Sequence, residues 1–101
     1  MAEETQVRIE SKLNICEPAM FAVVLHNDDI TTMDFVVELL VRVFHKTTAE
    51  GAAIMMSVHE RGKGVAGVYT YDIAVTKKQQ ADVISREHNY PLKLTVDEVS
   101  R

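Results

Sequence analysis

The stretch MFAVVLHNDDITTMDFVVELLVRVFH, residues 20–45, decides the fold. Its first six residues, Met20 to Leu25, are a short, continuous apolar run with β-branched members, as expected of a strand covered on both faces. From Met33 onward, Val36, Val37, Leu40, Val41 and Phe44 recur at spacings of three and four, which predicts a helix running to about His45. Thr31, with Asp34 three residues on, makes an N-terminal capping pair for that helix. Between strand and helix stands Asn27-Asp28-Asp29, more polar than a turn needs when Thr31 already supplies the cap.

Working outward, Thr47 followed by Glu50 repeats the capping signal. Ala52, Ala53, Met56 and His59 then keep helical spacing until Gly62 and Gly64, which predicts a second helix over about 48–61. Val65 to Tyr71 is β-rich. Ile73 to His88 carries the helix-spaced set Lys77, Gln80, Ala81, Ile84 and His88, and Pro91 ends it. Leu92, Leu94 and Val96 alternate with Lys93, Thr95 and Asp97, the pattern of a half-buried strand. The order is βααβαβ. If each element reverses direction, the first strand runs against both others and belongs between them. The predicted class is therefore α+β, a three-stranded antiparallel sheet with the first strand central and three helices packed on one face.

With 101 residues, 47% of them hydrophobic, the chain suits one domain that buries roughly two thirds of its unfolded surface. Residues 1–18, mixed in charge and without a sustained period, read as a mobile N-terminal tail ending at Pro18; residues 19–101 read as the single domain. Fifteen acidic side chains against eleven basic ones, the latter scattered, argue against a nucleic-acid partner. The single cysteine, Cys16, forms no internal disulfide, and there is no apolar run of the kind that enters a membrane. The expectation is a cytoplasmic monomer without a membrane or cofactor partner.

Asn27, Asp28 and Asp29 can be read as an Asx-type turn that caps the helix. They can also be read as surplus oxygen acceptors aimed at a cation or an ammonium group. As metal ligands, His26, Asp28, Asp29 and His59 match neither the calcium-loop spacing nor a zinc signature. A hydrolytic pairing of His59 with Asp28 has no serine or cysteine in a nucleophile motif to activate. Met33, Met55 and Met56 fit a core, and methionine also lines apolar pockets that adapt to ligands of different shape. Acceptors beside a Met-lined hollow would suit a ligand with an ammonium next to a large apolar group.

The segments NDDITTMDFVVELL, IMMSVHERGKGVAGVYTYDIAVTK and HNYPLKLTVDE together resemble the bacterial ClpS family over about residues 19–98. Members are adaptors that recognise an exposed N-terminal Leu, Phe, Tyr or Trp, an N-degron, and hand the substrate to a ClpA-type AAA+ unfoldase without catalysis of their own. The resemblance implies three helices on a three-stranded sheet, in agreement with the order above. It further implies that Asn27, Asp28 and His59 hydrogen-bond the free α-amino group. Leu25, His26, Thr31, Val36, Met55, Val58 and Leu92 would enclose the first side chain, and Met33 would exclude β-branched ones. Asp72 and Lys77 would contact the N-terminal domain of the unfoldase, with residues 1–17 engaging it during hand-off.

This sequence departs from the family pattern at Thr32, commonly Pro, and Asp34, commonly Glu; both still suit a helix start. It also departs at His26, where an aliphatic residue is usual. A histidine in the pocket would shift preference among the four first residues and add pH sensitivity. Two other classes compete with the adaptor: an interaction module indifferent to peptide N-termini, since a similar order occurs in the ribosomal stalk protein's C-terminal domain, and a metal-dependent enzyme using His26, Asp28 and His59.

Overall fold

The computed structural model describes residues 18–99 of the chain; the sequence reading of a mobile tail over 1–18 falls outside them except for Pro18. Six elements follow in the expected order: β1 Phe21–His26, α1 Met33–Arg42, α2 Thr48–Arg61, β2 Lys63–Tyr69, α3 Tyr71–Glu87 and β3 Lys93–Glu98. Strand β1 is central, antiparallel to β2 on one side and β3 on the other. Its continuous apolar run has the cause inferred from sequence: Ala22 to Leu25 are all buried.

The two faces of β1 differ. Val23 and Leu25 are fully buried and join one core cluster with Phe35, Val36, Leu39 and Leu40 of α1, Val58 of α2, and Ala74 and Ala81 of α3. Ala22, Val24 and His26 alternate to the other face, where Val24 pairs with Val65 and Thr95 and His26 pairs with Lys63 and Lys93. Val65 and Val68 stay exposed there, as expected for a face no helix covers. A register shift opposite Val23 and Val24 leaves Ala66 as the extra residue of β2, and its methyl is buried in the core.

Helix starts follow the sequence with two changes, one being that α3 begins at Tyr71, two residues before the expected Ile73, and takes Tyr71 from the expected strand. Thr47 and Glu50 form the reciprocal capping box of α2. In α1 the cap is Thr32, whose hydroxyl accepts the Phe35 N–H at 3.2 Å, and not Thr31 as the pattern suggested. The reason is local: Thr31 is held by Asp28, as described below. Helix α1 also stops at Arg42, three residues short of the expected end, where Lys77 donates to the Val43 carbonyl at 2.8 Å. At the end of α2, Gly62 adopts φ +92°, a left-handed conformation that glycine takes without strain.

Candidate functional site

Where β1 ends, the backbone N–H of Asn27 donates to the Gly62 carbonyl at 2.9 Å. That bond joins the start of the NDD loop to the residue that closes α2, so the loop lies beside the last turn of α2, which carries Val58 and His59. Asp28 then folds the loop. One carboxylate oxygen accepts the backbone N–H of Ile30 at 2.8 Å and of Thr31 at 2.7 Å, and the other accepts the Thr31 hydroxyl at 2.8 Å. Burial alone would raise this carboxyl, but the three hydrogen bonds outweigh it and hold the group below the usual value of 3.8. The Asx-turn reading of the NDD stretch thus describes Asp28.

Asp29 is different. Its side chain is exposed and makes no hydrogen bond or ion pair among the described residues. Asn27 and His59 are also exposed. These polar groups stand at the mouth of a cavity of about 390 Å³, within the range of small-molecule sites. Its apolar lining comes from Met33 and Val36 on α1 and Met55 and Val58 on α2, with Ile30 at the edge. Val36 and Val58 are buried and Met33 is exposed, so the lining runs from rim to core. Thr32, on the same rim, has its hydroxyl 3.5 Å from that of Tyr90, whose ring packs on Phe35 at 4.7 Å.

Of the residues singled out from sequence, Asn27, Asp28, Thr31, Met33, Val36, Met55, Val58 and His59 all line this one cavity. Leu25 and Leu92 do not; they are buried in the core cluster that also holds Val36 and Val58. His26 does not either. Strand alternation turns it to the helix-free face, where its Nε2 lies 2.9 Å from the Thr95 hydroxyl. Asp72 is exposed in the first turn of α3. Lys77 is half-buried, bonded to Val43 and 5.7 Å from the centre of the Tyr69 ring. Two lining residues, Ile30 and Thr32, were not read into the site from sequence, while Asp29 was read there as a surplus acceptor but not among the residues the resemblance implies. Only the doubled aspartate hinted at them, because their placement follows from the turn that Asp28 imposes. No group of three or more His, Cys, Asp or Glu able to hold a metal occurs among the described residues, and no described helix is long and apolar enough to cross a membrane.

What the arrangement offers is a set of oxygen and nitrogen acceptors above an apolar hollow. Comparison with known proteins bears on the family. The family model described as ATP-dependent Clp protease adaptor protein ClpS matches residues 16–95. Curated relatives named ATP-dependent Clp protease adapter protein ClpS include those of Syntrophus aciditrophicus and Acetivibrio thermocellus. The first is 49% identical over 96 residues, 95% of this chain and 90% of the relative. The second is 48% identical over 97 residues, 96% of this chain and 98% of the relative. Among solved structures, Agrobacterium tumefaciens ClpS2 bound to L-phenylalaninamide superposes with a TM-score of 0.79 at 35% identity, covering 82% of this chain and all of that one.

Proposed function

The chain belongs to the ClpS family of ATP-dependent Clp protease adaptor proteins, and from that premise we propose that its cavity receives the first residue of substrates with a free N-terminal Leu, Phe, Tyr or Trp. The observation that carries this reading is the juxtaposition of a polar mouth with an apolar hollow of side-chain size. L-Phenylalaninamide, the ligand of the Agrobacterium protein, has the matching parts: an ammonium beside a benzyl group.

In this reading Asn27 and His59 accept hydrogen bonds from the ammonium and fix its direction. Charge comes from both aspartates, but in different ways. Asp28 accepts three hydrogen bonds from Ile30 and Thr31, which shape the loop, and its Oδ2 keeps acceptor capacity for the ammonium, whereas the unengaged carboxylate of Asp29 adds charge at the mouth. The side chain enters between Met33, Val36, Met55 and Val58, beneath Thr31, with Leu25 and Leu92 backing the floor. Fully burying such a side chain contributes about 1.5–3 kcal/mol, and each charge-assisted hydrogen bond about the same. Neither half alone gives tight binding; their sum selects a free amine next to a large apolar group. A β-branched residue carries its bulk at Cβ, where Met33 stands at the rim.

The bound substrate is then delivered to a ClpA-type AAA+ unfoldase in the cytoplasm, the adaptor performing no chemistry of its own. Asp72 and Lys77 on α3 are the proposed contacts with the unfoldase N-terminal domain, Asp72 by its exposed carboxylate and Lys77 through the surface it shares with Tyr69. The test is competition against a labelled peptide that starts with Phe. Peptides starting with Leu, Tyr or Trp should displace it, those starting with Val or Ile should not, and indifference to the first residue would overturn the reading.

A further inference from the structure

Two methionines, Met33 and Met55, line the cavity, while Met56, next in sequence, lies outside it. Met33 is 42% exposed and Met56 40% exposed, so a small solute reaches both side chains comparably. Their surroundings differ. Met33 and Met55 share the hollow with Val36 and Val58, which donate no hydrogen bonds, and the hydroxyls of Thr31 and Thr32 on the same rim are directed to Asp28 and Tyr90. A thioether suits such a place because it is apolar and adapts its shape. A sulfoxide does not, because its oxygen needs donors, and the side-chain donors of Asn27 and His59 stand at the mouth, where the ligand's ammonium lies, and not in the apolar part of the hollow.

We propose that oxidation of Met33, together with Met55, to the sulfoxide is a reversible off-switch for the cavity, an inference that rests on the peptide-binding reading above. The oxidant is a peroxide. The sulfur lone pair attacks one peroxide oxygen, the S–O bond forms as the O–O bond breaks, and the second oxygen leaves as water after proton transfer. Sulfur loses the two electrons that the peroxide gains, and a thiol-dependent sulfoxide reductase reverses the change. Oxidised Met56 points its new dipole to solvent and leaves the cavity unaltered.

The experiment uses the full chain, hydrogen peroxide and a labelled peptide starting with Phe, with sulfoxides located by mass spectrometry. A variant carrying Met20→Leu and Met56→Leu removes two methionines outside the cavity and is expected to bind as the parent does. Oxidised parent and oxidised variant should both bind at least about tenfold more weakly than before treatment, and reductase treatment should restore both. Unchanged affinity in protein with oxidised Met33, absence of Met33 sulfoxide where Met56 is oxidised, or loss of the effect in the variant would each overturn the switch. Failure of the untreated protein to bind would overturn the peptide-binding reading itself, and the switch with it.

Discussion

Asp28 and Asp29 are neighbours with different duties, and substitutions separate them. Asp28→Ala removes the acceptor of three hydrogen bonds and should lower stability by about 1–2 kcal/mol in chemical denaturation, along with peptide affinity. Asp29→Asn removes a charge that holds nothing together. It should leave stability within about 0.5 kcal/mol yet weaken free-amine peptides about tenfold, read in the same titration. The acid response follows from Asp28. Its folded carboxyl sits below 3.8, so its contribution is fully present above that value and disappears as pH falls through the lower folded one. A denaturation series at decreasing pH should therefore show this part of the stability lost as pH falls below 3.8, and Asp28→Asn should flatten that part of the profile. The NDD stretch was conspicuous in sequence, but the division of labour was not. Two adjacent threonines can each cap α1, and only the pairing of Asp28 with Thr31 leaves the cap to Thr32.

The elements place these residues, and strand alternation is where the sequence was least informative. The apolar run through β1 conceals which of its residues face the helices, because Ala22 and Val24 on the open face are nearly as buried as Val23 and Leu25. His26 was expected in the pocket by resemblance; the structure puts its ring against Thr95 on the other face. His26→Val should accordingly leave the ranking of Leu, Phe, Tyr and Trp peptides unchanged and remove only one hydrogen bond, about 1 kcal/mol of stability. A changed ranking would show that the ring reaches the cavity. Beneath α2, a Cβ on Gly64 would stand 2.9 Å from Val58 Cγ2 and 3.2 Å from the Ile54 carbonyl oxygen. Gly64→Val should thus push α2 off the sheet, lowering stability by about 1–3 kcal/mol and disturbing Val58 and His59 together. Denaturation and peptide titration on the same sample would register both losses.

At the scale of the whole molecule, element order and sheet topology were legible because they follow from periodicity, caps and the rule that consecutive elements reverse. Boundaries moved by one to three residues. The early end of α1 is local, because His45 adopts φ +56° and the Lys46 N–H turns back to the Leu40 carbonyl at 3.1 Å, while Lys77 satisfies the freed Val43 carbonyl from 34 positions along the chain. The cavity itself was legible only as a list. Its existence depends on the bond between Asn27 and Gly62, which brings the loop after β1 to the end of α2 and sets acceptors above the methionines. That assembly makes one demand on its ligand, a free amine beside a large apolar side chain. The most direct measurement is a titration with one labelled peptide starting with Phe, beside the same peptide N-acetylated. Acetylation removes the charge and leaves one N–H donor where the ammonium had three, so the acetylated peptide should bind at least about tenfold more weakly. Equal affinity for the two would contradict an amine socket formed by Asn27, Asp28 and His59 with Asp29 beside them.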